Sequence, residues 1–227
     1  MKLIGSQPSL AEQVYDAIVD EIAAGSLPSG THLVQEQIAE RLGVSRQPVQ
    51  QAMGLLKADG MVQEQGKRGL YVAKLDGAAM RHHYEIRAVL DGLAARLTAL
   101  RAHNDASVAN QFRERAEKIL ALGKIAVTED QIANQVRHDM ALHKLIYEMS
   151  GNPVLARTAE PHWRFLQRAM GEILRRAKLP VEIWQQHAEI VKAISTGDAE
   201  DAERLIISHD LEAAETLHTA LLAQERP

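Results

Sequence analysis

Cysteine is absent from the chain, so neither disulfides nor thiolate metal sites are available, and bridges place no constraint on the redox compartment. No apolar run approaches the roughly 20 residues that a membrane-spanning helix needs. The opening MKLIGSQPSLAEQ lacks the apolar core of a signal peptide, so a cytoplasmic location without membrane contact is the expectation. HExxH is missing, as is the paired ExxH of di-metal bundles, which argues against a hydrolytic or oxidative metalloenzyme. A basic excess is lacking too, since a net charge of -4 does not suit a protein that coats nucleic acid indiscriminately.

What is present is uneven. The 227 residues suit one large or two smaller domains, and 46% hydrophobic with 25% charged residues is ordinary for a globular protein. Residues 1–40 carry one lysine against six acids, whereas residues 41–74 carry six Lys or Arg against two acids. His32 is the only histidine before residue 82, and the other nine lie between His82 and His218. Two regions of different chemistry are implied.

In the first region, Leu10, Val14, Ile18 and Ile22 recur at fourfold spacing, which predicts a helix ending near Gly25. SLPSGTHL reads as a turn into a helix from Val34 to Leu42. Gly43 breaks that helix, Ser45 caps the next, and Gly60 closes it, giving a helix-turn-helix pattern. MVQEQ and LYVAKL flank GKRG and predict a hairpin with a basic tip, completing a winged helix. The helix that starts LGVSRQPVQQAM holds Arg46 in its first turn, where the helix dipole disfavours a cation. The placement makes sense if a polyanion docks there. Arg46, Gln47 and Gln50 would then reach base edges or phosphate, and Lys67 and Arg68 at the wing tip would contact backbone or minor groove. Either feature alone is ordinary surface chemistry; in this order they point to DNA.

EQIAERLGVSRQPVQQAMGLLKADGMV followed by GKRGLYVA resembles the winged-helix domain of GntR-type bacterial transcription regulators, over essentially the first 75 residues. The resemblance implies that Ser45, Arg46, Pro48 and Gly69 belong to an operator-binding surface. Gln50 stands where that family usually carries a second arginine, and glutamine reads adenine but cannot neutralise a phosphate.

LDGA at residues 75–78 reads as a linker, giving domains 1–75 and 79–227 joined by residues 76–78. Beyond it no strand is predicted, but helices are expected over residues 79–102, 106–123, 129–149, 154–178, 182–196 and 199–223, with a capping box at Thr128 and Gln131. The fold class is therefore mainly α: an N-terminal winged helix-turn-helix plus an all-α bundle of about six helices. Asp139 and His143, four positions apart, share a helix face with Leu142 and Ile146. His187 sits among Ile190, Val191 and Ile194, and His209 among Leu205, Ile206 and Ala213. Each alone would be a satisfied core residue, but several inward polar groups in one bundle are costly unless they pair with one another or with a cation. His138, His162 and His218 lack this placement and read as surface or incidental.

YEIRAVLDGLAARL, DMALH, SGNPVL and HAEIVKAISTGDAEDAERLIISH resemble, over residues 80–223, the effector domain of the FadR subgroup of GntR regulators, in its all-α, metal-containing FCD branch. That resemblance implies Asp139, His143, His187 and His209 as ligands of a divalent transition metal. Three imidazoles and a carboxylate suit zinc foremost, with nickel, manganese or iron open. Arg87 matches an arginine the subgroup commonly retains and could bind an anionic effector. It is as readily an i,i+4 partner of Asp91 on a solvated face. Arg164, with Trp163 and Arg168, could line the same cavity. The expectation is a homodimeric, metabolite-responsive repressor that binds double-stranded operator DNA of palindromic form and takes a small carboxylate or sugar acid at its metal. The alternatives are a metal-dependent enzyme acting on a small acid, with an accessory winged helix, and a protein-binding helical module.

Overall fold

The computed structural model describes residues 8–65, 69–174 and 182–225. The chain divides into two compact units, Met1–Leu75 and Asp76–Pro227.

In the first unit, α1 (Leu10–Ala24) starts at a capping box: Ser9 Oγ accepts from the Glu12 N–H at 3.2 Å, and Glu12 Oε2 accepts from the Ser9 N–H at 2.7 Å. Val14, Ile18 and Ile22 are buried as their spacing predicts, but Leu10 is 57% exposed, because the apolar face begins with Ala11. α2 (Gln35–Leu42) ends at Gly43, whose φ of +66° is strained for any residue with a side chain. That left-handed step reverses the chain and permits α3 (Arg46–Ala58) to start three positions later. Val49, Ala52, Met53 and Leu56 on α3 are buried against α1 and α2, each large side chain contributing roughly 1.5–3 kcal/mol before entropy. β1 (Val62–Gln65) and β2 (Gly69–Val72) pair antiparallel, with Val62 opposite Val72 and Gln65 opposite Gly69. The segment ahead of α2 joins this hairpin: Leu33 N–H donates to Leu70 O at 2.8 Å, and the His32 and Tyr71 rings stack 4.6 Å apart. This is a winged helix-turn-helix.

The second unit is all-α among the described residues: α4 (Gly77–Asn104), α5 (Ala106–Thr128), α6 (Ile132–Met149), α7 (Pro153–Leu174), α8 (Glu182–Thr196) and α9 (Ala199–Glu225). α4 packs against each of the others, and its buried positions are mostly small: Ala88, Gly92, Ala94, Ala95, Thr98, Ala99 and Ala102. On α5, Gly123 lets the Trp184 indole of α8 lie directly on the helix, since a Cβ there would fall 1.9 Å from the ring.

Two local expectations change. Residues 76–78 are where α4 begins: the Asp76 carboxylate accepts from the N–H groups of Ala78 and Ala79 at 2.9 and 3.2 Å, and Gly77 is already helical. Thr128 does not cap α6. Its hydroxyl donates back to Lys124 O at 3.0 Å, so α5 runs on to Thr128 and Gln131 takes the N-cap position without a side-chain cap bond. The expected run of α7 to residue 178 lies partly outside the described residues. Among the described residues, no helix is long and apolar enough to cross a membrane.

Candidate functional site

The α3 surface is assembled by a simple division of faces. Ser45 is the N-cap residue as expected, but its side chain makes no cap hydrogen bond, which leaves first-turn N–H groups open to another acceptor. Arg46, Gln47 and Gln50 are exposed. Pro48, expected on the same surface, is instead buried on the helix underside. At the third helical position its missing N–H costs no intrahelical bond, so its contribution is to the helix start and to packing. Arg46 Nη2 lies 3.1 Å from Glu36 Oε2. Together with His32, Gln50, Glu64 and Leu70 this pair lines an open cleft of about 690 Å³. Gly69 opens β2, whereas Lys67 and Arg68 lie outside the described residues.

In the second unit, Asp139 and His143 of α6, His187 of α8 and His209 of α9 converge: one donor atom from each lies within 4.8 Å of all the others. The three imidazoles are buried, and Asp139 is 14% exposed. His187 Nε2 is 3.1 Å from His209 Nε2 and 3.3 Å from Asp139 Oδ1. Gln186 Oε1 sits 2.9 Å from His209 Nδ1 and accepts its N–H, which turns the Nε2 lone pair of His209 towards His187. Burial, and then the neighbouring His187 and His143, hold His209 well below the usual histidine range. Burial, followed by the Arg87 charge, also lowers His143. Burial alone would raise Asp139, but the His187 hydrogen bond and the surrounding positive groups win and keep it ionised.

An ionised carboxylate thus lies in a cluster where burial disfavours the charged form of His143 and His209, and Asp139 Oδ2 is buried without a hydrogen-bond partner. Metal–imidazole bonds of about 2.0–2.1 Å set about 90–110° apart hold the two nitrogens about 2.8–3.4 Å apart. The 3.1 Å between His187 and His209 falls inside that interval. The donor set fits a divalent cation.

Beneath it lies a second buried layer. Arg87 Nε donates to Asp91 Oδ2 at 3.1 Å, and Arg87 Nη2 is 3.0 Å from Asp210 Oδ1 and 2.9 Å from His143 Nε2. His143 Nδ1 lies 2.6 Å from Asp91 Oδ2. Tyr147 OH donates to Asp91 Oδ1. Trp163 covers the layer, with the Arg87 guanidinium carbon 3.8 Å from its ring centroid and the His143 ring 4.9 Å away. Burial pushes both carboxyls up, but Arg87 and His143 bring Asp91 down. Asp210 stays well above the carboxylate range, lifted by burial and by Asp91 against the pull of Arg87. The Arg87–Asp91 pair read from the sequence is therefore present, but on a buried face.

Elsewhere, Arg164 pairs with Glu160 at 2.7 Å, and Arg168 is buried with Nη2 3.9 Å from Glu172 Oε2. His162 is not incidental: its Nδ1 lies 3.0 Å from His83 Nδ1, and the His83 ring stacks on Phe165 at 4.2 Å. Tyr147 and Asp210 escaped the sequence reading. Tyr147 continues the fourfold stripe of Asp139 and His143, a signal that was available, whereas Asp210 sits one residue past His209 and about 100° round the helix.

Residues 10–72 match the family model described as bacterial regulatory proteins, gntR family, and residues 82–213 match the FCD domain model. The chain is 28% identical over 211 residues to a probable D-xylose utilization operon transcriptional repressor of Paenarthrobacter nicotinovorans, covering 90% of this chain and 87% of that one. It is 25% identical over 206 residues to the HTH-type transcriptional repressor RspR of Escherichia coli, covering 91% and 88%. Among solved structures, E. coli McbR/YncC is similar with a TM-score of 0.78 at 19% identity, covering 94% of this chain and 99% of that one. A putative GntR regulator from Rhodococcus gives 0.75 at 19% identity, covering 92% and 98%. These two likenesses speak to fold alone.

Proposed function

Given that this chain belongs to the GntR family of bacterial regulatory proteins and carries an FCD domain, and is a transcription regulator rather than an enzyme, we propose that it is a metal-dependent, metabolite-responsive repressor acting as a homodimer. The observation that carries the effector half is the convergence of ionised Asp139 with His143, His187 and His209, two of whose Nε2 atoms face each other at 3.1 Å. Those four residues hold the divalent cation, zinc foremost. The cation supplies a Lewis-acid position for the carboxylate of a small effector, an organic or sugar acid. Gln186 fixes the tautomer of His209, and Asp91 orients the ring of His143. Arg87 adds a positive charge beneath the site, and Arg164, half-buried on α7, is assigned to its outer wall.

In the DNA-reading half, Arg46, Gln47 and Gln50 face the operator, with the open N–H groups after Ser45 as a phosphate seat and the wing residues Lys67, Arg68 and Gly69 against the backbone. Dimerisation is supported by α4, where Ile86, Val89 and Leu100 are 48%, 69% and 42% exposed. With the half-buried Leu90, Leu93 and Leu97 they form one apolar stripe, in which Ile86, Leu90, Leu93, Leu97 and Leu100 alternate spacings of four and three and Val89 lies beside Leu90. A two-fold dimer implies a palindromic operator. The repressing sense draws on the two relatives named as repressors.

The test combines metal analysis of the purified protein with fluorescence anisotropy on duplexes from its own promoter region, with and without candidate carboxylates. The expected result is about one metal per chain, sequence-selective binding, and a change in operator affinity on adding an effector that metal stripping abolishes. Metal-free protein that binds all duplexes alike overturns the proposal.

A further inference from the structure

Arg87 belongs to two sets of contacts at once. Its Nη2 lies 3.0 Å from Asp210 Oδ1 on α9 and 2.9 Å from His143 Nε2 on α6. The other ring nitrogen of His143, Nδ1, faces Asp91 Oδ2 at 2.6 Å and carries the ring proton towards that carboxylate. Nε2 is left with a single lone pair, and a guanidinium, which has donors and no acceptor, can engage it only by donating. A metal–imidazole bond needs the same lone pair. The two cannot coexist.

Resting on the metal reading above, we infer that Arg87 is a built-in competitor for His143, so that a cation enters the four-ligand cluster only as Arg87 withdraws from Nε2 onto Asp91 and Asp210. The withdrawal has a destination. Asp91 already accepts from Arg87 Nε, and Asp210 Oδ1 already lies 3.0 Å from Arg87 Nη2, so the released N–H closes onto carboxyls that Arg87 touches now. Charge works in the same direction, because a guanidinium and a divalent cation a few ångströms apart repel strongly where water is excluded. Trp163 lies over the guanidinium and allows it to slide while remaining covered. The consequence reaches beyond the site. Asp210 adjoins His209 on α9, and Arg87 lies on α4, the helix that packs against every other helix of this unit. Cation occupancy is thereby transmitted to α4.

The experiment compares zinc affinity of the full chain with Arg87→Met and Arg87→Lys by competition against a chromophoric chelator, with circular dichroism confirming that each is folded. Arg87→Met is expected to bind zinc about tenfold or more tightly, whereas Arg87→Lys, which keeps a donor and a charge, stays within about threefold of the parent. The unsubstituted protein supplies a second readout that needs no variant. On adding one equivalent of zinc, the side-chain nitrogen signals of Arg87 and the Nε2 signal of His143 should move together. A folded Arg87→Met with the parent's zinc affinity overturns the inference, as do Arg87 signals that ignore zinc. If the parent binds no zinc at all, the metal reading falls with it. If zinc binding is present and lost in His187→Ala while Arg87 remains unmoved, the competition alone is wrong.

Discussion

Arg46 and Arg87 each stand 3.1 Å from a carboxylate, yet the Arg46–Glu36 side chains are 68% and 70% exposed and the Arg87–Asp91 side chains 2% and 1%. The same distance means different things in the two units. An exposed pair is worth about 0–1 kcal/mol and gives way easily when phosphate competes for the guanidinium. A buried pair that loses one partner costs about 3–5 kcal/mol, because the remaining charge stays in a poor solvent. The first unit is built to exchange partners with something outside it. The second is built to keep a fixed internal charge balance, which an incoming cation or anion must disturb.

The most drastic way to break this contrast is to empty the buried centre. His187→Ala removes one of the four proposed ligands and should weaken zinc binding by at least about 100-fold, beyond the roughly 10–100-fold expected for outer partners such as Gln186. Operator binding in the absence of effector should survive. Zinc affinity within a few-fold of the parent, measured by chelator competition, would remove His187 from the ligand set. The matching change on the exposed side is Arg46→Ala. Loss of one base or phosphate contact should cost about 1–3 kcal/mol of operator affinity and make the salt dependence shallower by about one unit of slope. Zinc content should not change. An Arg46→Ala protein that binds the operator as before would leave the DNA-reading face unexplained.

Acid sharpens the contrast further. His143 and His209 are held below their ordinary value of 6.5, by burial first, then by Arg87 for His143 and by the neighbouring histidines for His209. The unfolded chain takes up these protons near pH 6.5 and the folded unit refuses them, so their stabilisation is complete above that pH and is lost as pH falls below it. Asp210 has the opposite sign: burial raises it above 3.8, so its contribution is lost as pH rises through the folded value. Two histidines against one carboxyl leave a net loss on going from pH 7 to 5. Both tryptophans, Trp163 and Trp184, lie in this unit, so a fluorescence melt of metal-stripped protein reports on it selectively. The melting temperature should fall over that range; one that holds steady or rises would contradict neutral buried imidazoles.

The contrast also explains what the sequence disclosed. In the first unit the turn at Gly43, the cap at Ser45 and the exposed Arg46, Gln47 and Gln50 are neighbours along the chain, so spacing alone exposes the arrangement. Pro48 misled because the resemblance assigns it to a surface, whereas its ring packs underneath. In the second unit the faces of Asp139, His143, His187 and His209 were readable, and the geometry that joins them is long-range. Tyr147 reaches Asp91 across 56 positions and Arg87 reaches His143 across another 56. No local pattern carries such pairings. At Thr128, a hydroxyl that could cap one helix instead bonds back into the previous one, a competition settled by chain geometry rather than residue type.

The smallest expected effect tests what the exposed pair is for. Glu36 is too solvated to stabilise the fold measurably, and on the proposed DNA-reading face its carboxylate would oppose binding to any duplex. The role proposed for it is to hold Arg46 aside until a better acceptor arrives, which would lower non-specific affinity more than operator affinity. Glu36→Gln should therefore leave the melting temperature unchanged and raise non-specific duplex affinity by roughly two- to fivefold, with operator affinity rising less. Anisotropy with operator and scrambled duplexes at matched salt measures the ratio. A ratio that stays constant, with both affinities rising equally, would reduce Glu36 to a plain repulsive charge and make the two ion pairs differ only in burial.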